Sequence, residues 1–132
     1  MKEEPAEETP GQRLAEALKK FDNAPAEASI DQWKKQFGDV FVSGFSETEI
    51  YVWRPVRRPE FVKIQTKMQD PNESMDQFQL EEMICETCVL WKSVSVPWNE
   101  GKAGTPQSLS EQIMQNSNFM SPQAASVLVA KL

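Results

Sequence analysis

Histidine is absent from this chain of 132 residues. Without an imidazole there is no base for a Ser-His-Asp arrangement, no histidine ligand for zinc, and no side chain that ordinarily titrates near neutral pH. Cysteine occurs only twice, as Cys85 and Cys88. Two thiols cannot complete a tetrahedral zinc site, and at this spacing inside a helical pattern they are not expected to form a structural disulfide. Glycine is also sparse, and Gly101-Lys102-Ala103-Gly104-Thr105 lacks both the leading glycine and the Lys-Ser/Thr step of a phosphate loop, so it reads as a turn. No run approaches the roughly 18 apolar residues of a membrane span. The opening Met1-Lys2-Glu3-Glu4-Pro5 is acidic where a signal peptide carries a basic region and an apolar stretch. Basic residues are outnumbered, 14 against 20 acidic, for a net charge of -6, which opposes sequence-independent wrapping of nucleic acid. A soluble protein of a reducing cytoplasm is expected, with no cofactor, no metal and no membrane or nucleic-acid partner.

What is present suffices for a core. Hydrophobic residues make up 39%, among them four Trp, seven Phe and six Met, and the length corresponds to about one domain. The expected class is α+β: a mostly helical single domain with one β-hairpin and a flexible N-terminal extension. Residues 1–28 form the extension and residues 29–132 the compact domain. Met1 to Gln12 contain no Leu, Ile, Val or Phe and are expected to stay flexible. Arg13 to Phe21 place Leu14, Ala17, Leu18 and Phe21 at helical spacing before the breaking segment around Pro25. So short a helix cannot persist alone in water and must dock, either on its own domain or on another subunit.

Ser29 with Gln32 resembles a capping box for a helix over Ile30–Phe37, stopped by Gly38. Val40–Phe45 and Ile50–Val56, rich in β-branched and aromatic residues, predict a hairpin around Ser46–Glu49, with Pro55 marking an edge or an exit. Pro59 suits the first turn of a helix to Lys67. Ser74 with Gln77 offers a cap for the longest helix, Met75 to about Trp91, followed by an extended piece at Val94–Trp98. Thr105-Pro106 and Ser121-Pro122 each read as cap then first turn, the second starting a last helix that runs to Leu132. No internal repeat implies a solenoid.

Chemistry-bearing clusters are few. Cys85-Glu86-Thr87-Cys88 lies within a helix rather than at its N-terminus, and glutamates beside it oppose a reactive thiolate, so buried thiols are the ordinary reading. Glu81, Glu82 and Glu86 read as a solvated helix face. Arg54, Arg57 and Arg58, extended by Lys63 and Lys67, locally reverse the acidic balance. Residues 31–70 nevertheless hold seven basic against six acidic residues, which suits salt-bridged or interfacial arginines better than a phosphate track. Trp53 beside Arg54 has the composition of an interface anchor.

The blocks Ile30–Val40, Glu49–Phe61, Glu81–Leu90 and Ala103–Met114 followed by Ser117-Asn118-Phe119 resemble, in order and spacing, small proteins of contractile-tailed bacteriophages in the group of baseplate-hub components and tail-assembly chaperones. The resemblance covers roughly residues 29–120. It implies a non-enzymatic role in virion morphogenesis, in the virion or the infected host cytoplasm, with other tail or baseplate proteins or further copies of the chain as partners. The residues themselves suggest an interface of Tyr51, Trp53, Arg54, Arg57 and Arg58, with Leu14, Leu18 and Phe21 of the first helix, which lies outside the resemblance, strapping a neighbour. The alternative is a small acidic cytoplasmic regulator or inhibitor that binds a host protein.

Overall fold

A computed structural model describes residues 8–132. The class is α+β, as expected: six helices and a three-stranded antiparallel sheet. The chain divides into two compact units, one holding the residues up to Arg54 together with Val89–Ser95, the other holding Pro55–Cys88 and Val96–Leu132. The boundary therefore differs from the one expected after Ala28. Of the tail expected at Met1–Gln12, the first seven residues lie outside the described ones.

The sheet unit begins with α1 (Pro10–Lys19) and α2 (Glu27–Phe37). α1 starts three residues earlier than the apolar spacing predicts, because Thr9 caps it. The Gln12 N–H donates to Thr9 Oγ1 at 3.1 Å, and the Thr9 N–H donates to Gln12 Oε1 at 2.8 Å. Pro10 fits the first turn because its missing N–H would have no helical partner there. α2 starts at Glu27, and Ser29 lies inside it, its N–H donating to the Ala26 carbonyl at 3.0 Å instead of capping. Gly38 ends α2 at φ 88°, a left-handed value that a Cβ would oppose.

β1 (Phe41–Gly44) and β2 (Ile50–Trp53) form the expected hairpin, paired Phe41 to Trp53 through Gly44 to Ile50. Ser46 Oγ accepts the N–H groups of Thr48 and Glu49, both at 3.2 Å, which closes the loop. β2 is no edge. It is the middle strand, because β3 (Val89–Lys92) pairs along its other side. The third strand arises where helical spacing predicts continuation to Trp91. The helix stops at Cys88 and the backbone pairs with β2 instead, with Leu90 as the extra residue of a bulge opposite Val52–Trp53. One sheet face carries Ile50 and Val52, clustered with Ala17 and Leu18 of α1 and edged by Phe21, Trp33, Val42 and Trp91.

The helical unit contains α3 (Arg58–Gln69), α4 (Gln77–Cys88), α5 (Thr105–Gln115) and the short α6 (Pro122–Ser126). Pro59 lies in the first turn of α3, as expected. The reciprocal cap of α4 is Asp76 with Gln79, at 2.9 and 3.0 Å, two residues beyond the Ser74–Gln77 pair. Asp76 is the better acceptor because its carboxylate faces the positive helix end. α4 and α5 pack together. Their fully buried residues are Cys85, Cys88, Leu109 and Ile113. Thr105 is the first residue of α5 rather than its cap, which falls on Gly104. Ser121 does cap α6, accepting the Ala124 N–H at 3.1 Å, but the helix spans five residues and does not reach the end of the chain.

Candidate functional site

The aromatic face expected to meet partners is consumed inside the sheet unit. Tyr51 and Trp53 are each 2% exposed. The Trp53 ring stacks on Phe41 directly across the strand pair, centroids 4.7 Å apart, and its Nε1–H donates to Ser43 Oγ at 2.8 Å. Tyr51 meets Phe45 edge-on at 6.0 Å, and its hydroxyl donates to Glu49 Oε2 at 3.0 Å. Arg54 is buried too, its guanidinium 4.4 Å from the centre of the Phe37 ring. These three residues hold the unit together and do not form an exposed patch.

The first helix takes one of its two expected dockings, on its own chain, so Leu14, Leu18 and Phe21 lie along the sheet and do not form the strap. Leu18 is buried against Ile50 and Val52. Phe21 meets Trp91 edge-on at 5.5 Å, and the Trp91 Nε1–H donates to the Asn23 carbonyl at 3.0 Å. At Gly44 a Cβ would overlap Leu14 Cδ2, so that glycine is where α1 approaches the sheet closely. α1 docks on its own chain because the sheet face under it carries Ile50 and Val52, against which Ala17 and Leu18 pack. Of the expected interface residues, only Arg57 and Arg58 are exposed, with Leu14 and Phe21 half-buried.

Exposed apolar surface lies elsewhere. Of the ten large hydrophobic residues most exposed among those described, all but Phe45 belong to the helical unit. Phe78 is 72% exposed, and the consecutive Val127, Leu128 and Val129 are 79%, 69% and 78% exposed. α4 and α5 enclose an open groove of about 430 Å³ with Leu80, Ile84, Met114 and Phe119 in its wall and Glu81 and Glu111 among its lining. Phe119 owes its place to the turn that ends α5. Asn118 takes φ 67°, and the Phe119 N–H returns to the Met114 carbonyl at 3.3 Å. Asparagine accepts this left-handed geometry at a helix end, where the residue after it typically packs back on the last turn. Phe119 also meets Phe61 at 4.7 Å and lines a second depression of about 200 Å³ with Arg57 and Arg58.

The cysteines carry no visible chemistry. Both are buried, and desolvation, followed by the charges of Cys88 and the glutamates Glu81, Glu82 and Glu86, pushes the Cys85 thiol up to about 12. Its S–H faces the Pro106 carbonyl at 3.6 Å. Glu86 accepts the Trp98 Nε1–H at 2.8 Å. Among the described residues no group of three or more acidic or cysteine side chains is placed to hold a metal ion, and no helix is long and apolar enough to cross a membrane. Comparison with protein-family models, curated proteins and solved structures finds no match.

The groove and the undocked segment are not among the sequence expectations, because a last helix running to Leu132 would lay its apolar residues on the domain. The available signal was composition. From Pro122 to Leu132 the only charge is Lys131 and no polar face alternates with the apolar one.

Proposed function

We propose that this chain is a non-enzymatic morphogenesis protein of a contractile-tailed bacteriophage, a baseplate or tail component or a tail-assembly chaperone that acts by binding other proteins. The observation that carries the binding role is the uncovered run Val127-Leu128-Val129. Contiguous apolar surface in water is disfavoured, and its removal from water is the ordinary driving force of association. The phage assignment is supported by the four sequence blocks and their order. The binding surface of this reading is the helical unit, in place of the buried Tyr51 and Trp53.

Quantitative mass spectrometry of purified particles, alongside a pull-down from infected cells, tests this reading. A tail component is recovered in fixed stoichiometry from particles. A chaperone is missing from particles and recovered with unassembled tail proteins. Recovery with a host protein alone would overturn the assignment in favour of a regulator.

A further inference from the structure

The helical unit displays an apolar segment without a cover and an apolar groove without an occupant. Val127, Leu128, Val129 and Leu132 are 79%, 69%, 78% and 117% exposed, while Leu80, Ile84, Met114 and Phe119 line the groove beside α4 and α5. The two are complementary in charge as well. Glu81 and Glu111 are the charged residues of the groove, and Lys131 is the only charged side chain of Pro122–Leu132. A chain of net charge -6 repels its own copies in general, so a contact between copies needs such a local reversal.

We propose that Pro122–Leu132 of one copy docks in the α4–α5 groove of a second copy, and reciprocally, so that the protein self-associates by exchanging this segment. Within its own chain the segment leaves Val127–Val129 in solvent. A second copy covers segment and groove together, and the symmetric exchange closes on itself without leaving a free end. Leu128 and Val129 enter between Leu80 and Met114, and Lys131 meets Glu81 and Glu111. The proposal rests on the reading of the chain as a protein-binding protein and adds the identity of one partner.

Sedimentation velocity of the full chain between about 1 and 100 µM tests it, a range in which contacts of this kind are populated. The wild type is expected to pass from monomer to dimer. Leu128→Asp with Val129→Asp alters only exposed positions and is expected to weaken association at least about tenfold, as is Met114→Glu in the groove. Mixing these two variants is decisive, because the first keeps an intact groove and the second an intact segment. The mixture is expected to form a heterodimer through one contact, weaker than wild type and stronger than either variant alone. Lys131→Glu is expected to weaken the dimer several-fold, and Glu81→Lys with Glu111→Lys in the same chain to restore it. This charge exchange keeps the test open if Met114→Glu fails to fold. A wild type that stays monomeric, which would point to docking within one chain, variants that dimerise like wild type, or a mixture that does not associate overturns the exchange. A monomer that is nevertheless incorporated into particles would defeat this proposal and leave the phage reading intact. A segment-exchanged dimer recovered only with a host protein would do the reverse.

Discussion

Cys85 and Asn118 illustrate how single side chains are set by surroundings that the local sequence only partly encodes. Folding raises the Cys85 thiol from 9.0 to about 12, chiefly by desolvation, so the fold holds the neutral form. The sign follows directly: the folded state binds this proton more tightly, and the associated stability is complete below about pH 9 and lost as pH rises toward 12. Equilibrium urea unfolding at a series of alkaline pH values should show that decline, and it should be shallower in Cys85→Ala. At pH 8 a disulfide reagent should label the native chain far more slowly than the unfolded chain. Equal labelling rates would contradict the burial. At Asn118, the left-handed backbone makes Asn118→Gly nearly neutral, whereas Asn118→Val should cost about 1–2 kcal/mol in denaturant unfolding. A valine variant as stable as wild type would show that this turn is not required.

At the scale of elements, α1 is where local propensity and packing divide the work. Thr9, Pro10 and Gln12 start the helix from sequence alone, yet ten residues do not hold a helix in water without Ala17 and Leu18 against the sheet. Leu18→Ala should therefore lower stability by about 2–4 kcal/mol. Hydrogen exchange resolved by residue is the informative probe, because this variant should lose protection across α1 before α2. β3 makes the opposite point. Leu80, Ile84, Cys88 and Trp91 have a helical period, but Trp91 opposes Val52 in a ladder, and the pairing overrides the period once β2 offers an unpaired edge.

For the whole molecule, charge and exposed apolar area lead to different partners. Arg54 is buried over Phe37, so the basic cluster shows solvent Arg57, Arg58 and Lys63 but not Arg54, on a chain of net charge -6. A fluorescent duplex or single-stranded oligonucleotide should show no change in anisotropy with this protein at about 0.15 M salt, where weak contacts with phosphates are screened. Tight binding that weakens steeply with added salt would require a phosphate-binding surface that the fold does not assemble. Protein partners should instead respond to changes at Leu128 and Val129 on the helical unit.

The sequence by itself determined what short-range chemistry controls. The α+β class, the Ser46–Glu49 hairpin loop, the stop at Gly38, the proline in the first turn of α3 and the cap at Ser121 each depend on a few adjacent residues whose backbone preferences are strong. Tertiary structure alone decided which apolar residues stay in water. Tyr51, Trp53 and Leu18 have the composition of an interface, and Leu128 and Val129 the spacing of a core, yet the structure buries the first three and exposes the other two. The reason is that burial depends on what lies opposite. Phe41 and Ser43 stand across from the aromatic pair, Ile50 and Val52 lie under Leu18, and none of the described residues is positioned over Val127–Val129.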